Sequence, residues 1–481
     1  MHKAAMRFFI LHQENGSLYQ TPPNLFLAFR VCYNMTKEKG GWGEAVNIRM
    51  TRKMSTIAMI CCLTLLLQWA SVLVWPSLTK AAESPDLKLE VKAAVLIEAS
   101  TGQVLYEYNA DTPLPPASMA KMMTEYLSLE SISAGKLKWE DTLLVSEYAS
   151  KVGGSGQLLG PGEKMSVRDV MTEMSVYSGN DGAVVLAEQL AGSEENFAKQ
   201  MNEKAQELGL THTQFINATG LSRSDMGKNA PSSIQGETMM SAKDAAYLAR
   251  AIVTKHQDFL NLTKVTSKKL RPKDAAPMIN WNRMLEGWKT DGTFYRNTAY
   301  EGMDGLKTGH IDEAGYCFTG TAIRNGMRLI SVVMGTDSRE KSFSETKKIM
   351  DYGFNSFETK MVIPAKSEIE TLKTVKIKKG VKTEVPVVTQ DGIQFVVKKG
   401  EQSEFQSEAA PLEDAKLIAP IKQGDVLGTA KVTYSGVTKE VNLIATEDVE
   451  KGSWIRLLFR AVKNFFGDIF SGIAGGIQKL F

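Results

Sequence analysis

The dipeptide Asn325-Gly326, flanked by the apolar runs YCFTGTAIR (316–324) and MRLISVVMG (327–335), constrains the fold of this chain more than any other feature. Asn-Gly is favoured in two-residue hairpin turns because both residues tolerate positive φ, so the two runs are predicted to be neighbouring antiparallel strands. A second hairpin is predicted near residue 100, where AAVLIEAS and GQVLYEYNA alternate apolar and polar residues on either side of Ser100-Thr101-Gly102. Between the two hairpins, from about Ser118 to Phe259, helical periodicity dominates: SMAKMMTEYLSLE, VRDVMTEMSVYS, DGAVVLAEQLAG and ENFAKQMNEKAQELG, the last stopped by Gly209 at a C-cap position. A closing helix, FSETKKIMDYGFNSF, follows the last strand, giving strands, helices, then strands and a helix.

After Ile363-Pro364 the composition shifts toward Lys, Val and Thr, and short alternating runs occur at 384–389, 393–398, 429–434 and 437–444. Turns at Asp391-Gly392 and Ser435-Gly436 separate them, so 364–446 is predicted to be a small all-β domain. Five lysines between Lys373 and Lys382 form a solvated strand face in this reading, with an anionic surface as the alternative.

The ends point to a membrane. The run STIAMICCLTLLLQWASVLVW (55–75 with its flanks) follows Arg49, Arg52 and Lys53 and precedes Pro76 and Thr79-Lys80-Ala81-Ala82. A secretory signal peptide cleaved after Ala81 or Ala82 is predicted, a retained spanning helix being the alternative, with 1–82 as leader and translation starting at Met50 or Met54. At the other end, Trp454, Leu458, Ala461, Phe465, Ile469, Ile473, Ile477 and Leu480 recur at helical spacing while Arg456, Arg460, Lys463, Asp468, Ser471 and Lys479 fill the remainder. Residues 447–481 are therefore expected to form an amphipathic helix lying in a membrane interface, the alternative being a helix packed on the protein's own core.

Composition excludes some functions. With 57 basic and 54 acidic residues over 481, a net charge of +3 gives no reason to propose nucleic acid as a partner. Of four cysteines, Cys32, Cys61 and Cys62 fall in the leader, leaving Cys317 alone and no internal disulfide; between Tyr316 and Phe318 it reads as core. The five histidines show no metal-ligand spacing, and neither a metal nor a nucleotide cofactor is implied.

Three short motifs carry the chemistry. In Pro115-Pro116-Ala117-Ser118-Met119-Ala120-Lys121, a lysine lies one turn after a serine at the start of a predicted amphipathic helix, which lets the amine reach the hydroxyl. Ser77, Ser133, Ser338 and Ser344 also have a lysine three residues on, so the spacing alone says little. Ser178-Gly179-Asn180 and Lys307-Thr308-Gly309 complete the ordered set S-x-x-K, S-x-N, K-T-G.

That order resembles the penicillin-recognising serine enzymes, and PPASMAKMMTEYL, FINATGL, MDGLKTGHIDEAGYCFTGTA and ETKKIMDYGF are similar to the D-alanyl-D-alanine carboxypeptidases of peptidase family S11, the penicillin-binding protein 5 type, over nearly all of 87–481. The resemblance implies an α/β fold of β-lactamase/transpeptidase type over 83–363: an antiparallel sheet covered by helices, with a helical lobe and a cleft. It also implies removal of the terminal D-alanine from peptidoglycan stem peptides ending in D-Ala-D-Ala through an acyl-enzyme, inhibition by β-lactams, and a location at the outer face of the cytoplasmic membrane. On the matching positions, Ser118 is the nucleophile, Lys121 its base when neutral, Ser178 a proton relay and Asn180 a holder of Lys121 and substrate. Lys307 and Thr308 offer a cation and a hydroxyl to the substrate carboxylate, Gly309 lets the backbone pass close to it, and the oxyanion lies between the backbone N–H groups of Ser118 and His310, at about 3 kcal/mol per donor. One departure is Ser342 where relatives often carry arginine before the phenylalanine of the closing helix; Arg339 or Lys341 is the candidate substitute. A serine β-lactamase, a D,D-endopeptidase and a non-catalytic wall-binding protein of the same fold are the competing readings; no Glu-x-x-Leu-Asn segment of class A β-lactamases lies between Asn180 and Lys307.

Overall fold

The computed structural model describes residues 85–478 except 157 and 291–294, with side chains described as far as Phe466. The expectations for 1–82, with Cys32, Cys61 and Cys62, lie outside the described residues, as do the side chains of the terminal helix beyond Phe466.

Ala93–Glu98 (β1) and Val104–Tyr108 (β2) form the first hairpin, and Met303–Ile311 (β3), Gly315–Arg324 (β4) and Met327–Thr336 (β5) are the returning strands. They join as one antiparallel sheet in the order β2-β1-β5-β4-β3. At the turn, Asn325 and Gly326 take φ of 49° and 78°, the left-handed pair the hairpin needs. β1 is buried at every position. Its alternate residues Ala93, Val95 and Ile97 face one core, and Ala94 and Leu96 face another on the opposite side. A period of two thus serves two apolar layers, which is why this strand reads as nearly continuous hydrophobic sequence.

The first core is closed by Lys121–Ser133 (α1), Val167–Tyr177 (α2), Asn180–Ala191 (α3), Glu194–Glu207 (α4) and Ala242–Lys255 (α5). The second is closed by Arg339–Ser356 (α6), which brings Phe343, Ile349, Met350 and Phe354 onto Leu329 and Val333. Serine side chains start four of these helices: Ser166, Ser193, Ser241 and Ser338 each accept from the backbone N–H three residues on. Each such cap contributes about 1 kcal/mol. Helix α1 differs from the amphipathic expectation. Met122, Met123, Thr124, Glu125 and Tyr126 are buried in succession, because the helix runs between the sheet and the helical lobe and has no solvent face there.

Phe357–Ile363 (β6) continues directly from α6. Beyond it come Thr374–Lys376 (β7), Glu384–Thr389 (β8), Ile393–Lys398 (β9), Gln406–Pro411 (β10), Val426–Tyr434 (β11) and Val437–Ala445 (β12). β6 pairs with β9, and an antiparallel sheet runs in the order β7-β8-β12-β11-β10. A separate core of valines and isoleucines with Phe395 fills this small β domain. The last element is Trp454–Gln478 (α7). Trp454 and Phe459 are 74% and 71% exposed, and Leu458, Phe465 and Phe466 are exposed beside them. What this helix docks on the β domain is instead Arg460, whose guanidinium donates to the carbonyls of Gly380 and Val381 at 3.0 and 3.1 Å. None of the described helices is long and apolar enough to cross a membrane.

Candidate active site

Ser118 lies in a single 3-10 turn, Ala117–Ala120, that leads into α1, and Lys121 is the first residue of the α-helix proper. Ala117 takes a φ of 49°, and two neighbouring segments approach the turn so closely that each needs a glycine there. A Cβ on Gly309 of β3 would meet the Pro116 carbonyl oxygen at 2.5 Å, and one on Gly220 would overlap the Ala117 carbonyl. β3 thus runs alongside the serine, bringing the K-T-G segment to it.

Lys121 is fully buried, with its Nζ 2.9 Å from Ser118 Oγ, 2.5 Å from Asn180 Oδ1 and 2.9 Å from the carbonyl oxygen of Thr219. Asn180 opens α3, and its own amide donates to the Gly153 carbonyl at 2.6 Å. Ser178 sits between α2 and α3 with φ 63° and ψ 32°, a left-handed residue that turns the chain so that Ser178 and Asn180 both face the cleft. Lys307 Nζ donates to Ser178 Oγ at 2.6 Å. The three motifs, far apart in sequence, meet around one serine hydroxyl.

Burial and the charge of Lys307 hold the Lys121 amine well below the usual lysine range, against the opposing pull of Glu173, Glu125 and Asp181. A neutral amine has two N–H bonds and one lone pair. Asn180 Oδ1 and the Thr219 carbonyl accept the two N–H bonds, which leaves the lone pair for the Ser118 hydroxyl proton. Burial also brings Lys307 down to about 8, while Glu125 is pushed up by burial to about 7.

Ser118, Ser178, Thr308 and Gly309 line a cavity of about 80 Å³, and the cleft continues past Asn180 into a space of about 630 Å³. His310 is exposed, its ring stacked on Tyr316 with centroids 4.0 Å apart. Of the two candidate basic residues, Arg339 lines the same cavity, its guanidinium 4.1 Å over the Trp281 ring and 5.9 Å from that of Tyr316. Lys341 turns away to pair with Glu90, and Ser342 Oγ merely donates to the Arg339 carbonyl. Cys317 is buried, and burial pushes its thiol up to about 11. The other described serines with a following lysine play local parts: Ser338 caps α6, Ser344 Oγ donates to the Lys341 carbonyl, and Ser133 Oγ lies 3.4 Å from His256 Nδ1. Among the described residues, no group of His, Cys, Asp or Glu is placed to hold a metal ion.

Two parts of the site escaped the sequence reading. Thr219 contributes a backbone carbonyl, which no residue type announces. The segment FINATGL nevertheless encodes it: Asn217 Oδ1 accepts from the backbone N–H groups of Thr219 and Gly220 at 3.1 and 2.6 Å and so fixes that carbonyl beneath Lys121. Trp281 is held by its indole N–H, which donates to the Tyr177 carbonyl at 2.9 Å, and only its placement opposite Arg339 makes it part of the cleft.

Residues 79–338 match the family model described as D-alanyl-D-alanine carboxypeptidase, and 357–451 match that of the penicillin-binding protein 5 C-terminal domain. The D-alanyl-D-alanine carboxypeptidase DacF of Bacillus subtilis is 36% identical over 78% of this chain and 90% of its own length. DacC of Escherichia coli is 32% identical over 82% of this chain and 93% of its own. Among solved structures, a peptidoglycan synthesis regulatory factor (PBP3) of Streptococcus pneumoniae superposes with a TM-score of 0.67 at 28% identity, over 75% of this chain and all of that one. Penicillin binding protein 5 of Haemophilus influenzae gives 0.57 at 28% identity, covering 76% of this chain and 98% of its own. With its three motifs gathered at one cleft and a penicillin-binding protein 5-type C-terminal domain following them, this chain belongs to the D-alanyl-D-alanine carboxypeptidase family, peptidase family S11.

Proposed function

We propose that the protein is a serine-type carboxypeptidase that removes the terminal D-alanine from peptidoglycan stem peptides, working at the outer face of the cytoplasmic membrane. The observation that carries this reading is the buried Lys121 Nζ placed 2.9 Å from Ser118 Oγ, with Asn180 Oδ1 and the Thr219 carbonyl oxygen as acceptors for its N–H bonds. Ser118 Oγ adds to the carbonyl carbon of the penultimate D-alanine as its proton passes to Lys121, and the oxyanion rests between the backbone N–H groups of Ser118 and His310. The C–N bond then breaks. The proton that Lys121 took passes through Ser178, which Lys307 holds at 2.6 Å, to the nitrogen of the departing D-alanine, and Lys121 is neutral again. Water attacks the ester carbon as its proton passes to Lys121, the bond from that carbon to Ser118 Oγ breaks, and Lys121 returns the proton to Ser118 Oγ. Lys307, Thr308 and Arg339 receive the substrate's terminal carboxylate, with Arg339 supplying from one helical turn earlier the cation that Ser342 lacks. β-Lactams acylate the same hydroxyl.

The exposed tryptophan and phenylalanines of α7 support a helix that lies in the membrane surface rather than on the protein's own core. Incubating the purified protein with a pentapeptide ending in D-Ala-D-Ala tests the reading. Mass spectrometry is expected to show loss of a single alanine; Ser118→Ala retaining that activity sinks the assignment.

A further inference from the structure

Beneath the second motif lies a cluster of carboxyl groups that the reaction does not use. Glu173 of α2 and Asp181 of α3 are both fully buried, with Asp181 within hydrogen-bond reach of Glu173. Asp181 Oδ2 accepts from the backbone N–H groups of Leu158 and Leu159 at 2.7 and 2.9 Å, so that oxygen is satisfied. Both oxygens of Glu173 and Oδ1 of Asp181 have no protein donor, and a buried carboxylate left without donors is strongly unfavourable. One proton between the two groups serves two of these three oxygens, carried by a Glu173 oxygen and accepted by Asp181 Oδ1, and removes one of the two charges. The chain also makes room for the pair: a Cβ at Gly179 or Gly182 would overlap Glu173, and one at Gly156 would overlap Asp181 Oδ1. Glu173 therefore sits directly under the Ser178-Gly179-Asn180 turn, and Asp181 ties that turn to the loop whose Gly153 and Ser155 carbonyls hold Asn180.

We propose that Glu173 is a positioning residue for the second motif, sharing one proton with Asp181 and, as this neutral prop, holding Ser178 and Asn180 at Lys307 and Lys121. Burial and the Asp181 charge favour its protonated form, opposing the charges of Lys121 and Lys307. The charged groups facing it are Lys121 from α1, Asp181 from α3 and Lys307 from β3, and Glu125 of α1 faces the same two lysines. The inference rests on Ser118 being the acylated residue.

The test is the pH profile of acylation by a fluorescent penicillin in the full-length protein, with thermal unfolding followed in parallel. Glu173→Ala is expected to lower the acylation rate about 10-fold or more across the profile, since Asn180 and Ser178 lose their support. Glu173→Gln, which keeps a donor toward Asp181 Oδ1 without adding or removing charge, restores most of the rate. Its rising acid limb, set by Lys121, stays where it is in the unmodified protein. If Glu173 were instead an ionised partner of the lysines, the Gln variant would lower the Lys121 pKa and carry the acid limb down by about one pH unit. That shift, or acylation of the Ala variant at the unmodified rate, overturns the proposal. If the unmodified protein itself takes no label on Ser118, the failure belongs to the functional reading and not to Glu173.

Discussion

Replacing Arg339 by glutamine separates a carboxylate receptor from a merely structural arginine. The guanidinium lies over Trp281 at 4.1 Å in the cavity shared with Ser118 and Thr308. Stacking fixes its plane, so little further ordering is needed when a carboxylate arrives. A hydrogen bond to a charged group contributes about 1.5–3 kcal/mol, and Arg339 is only partly buried, which places it near the lower end. About 1.5–2 kcal/mol corresponds to a loss of roughly 10- to 30-fold in kcat/KM. The assay compares a peptide ending in a free D-Ala-D-Ala carboxylate with the same peptide ending in an amide. Arg339→Gln is expected to lower kcat/KM for the acid by that factor and to leave the much slower amide nearly unchanged. Lys341→Gln, which removes only surface pairs with Glu90 and Asp337, leaves both alone. An equal loss on the two peptides, or a loss at Lys341 as large as at Arg339, refutes the reasoning.

Three further expectations follow from the same geometry. Acylation needs Lys121 neutral and Lys307 charged, so its rate rises with pH as Lys121 loses its proton and falls as pH passes the Lys307 value of about 8; a rate still rising well above that value contradicts the assignment. Gly309→Ala places a methyl 2.5 Å from the Pro116 carbonyl oxygen and 3.2 Å from the Met119 nitrogen, and the displacement of the turn bearing Ser118 is expected to cut acylation about 100-fold, read by stopped-flow labelling. Removing the chain from Trp454 onward abolishes flotation with anionic lipid vesicles while penicillin labelling is kept; flotation of the shortened protein dismisses α7 as the anchor.

The sheet was legible because its signals are local. Asn325-Gly326 sets one hairpin, and the period of two in β1 sets the faces. Gln406–Pro411 escaped notice because Gln-Ser-Glu-Ala-Ala-Pro has little β propensity; as an exposed edge strand it is ordered by pairing with β11 rather than by its own residues. The character of α1 was misjudged because Thr124, Glu125 and Ser128 look like a polar face, and only tertiary packing buries them. At the site, side chains with chemistry could be named from three motifs, whereas the Thr219 carbonyl, the Trp281 shelf and the Glu173–Asp181 pair depend on which segments the fold brings together. The choice between Arg339 and Lys341 was of this kind as well, since two residues along α6 decide whether a cation points into the cleft or toward Glu90.

The central claim, that Ser118 activated by Lys121 is the acylated residue of a D-alanine-releasing enzyme, is tested most directly by intact-mass and peptide-mass analysis of the protein after a short incubation with penicillin. The account predicts one adduct, located on the peptide containing Ser118, absent from Ser118→Ala and strongly slowed in Lys121→Ala. An adduct on any other residue, or undiminished labelling of Ser118→Ala, contradicts it.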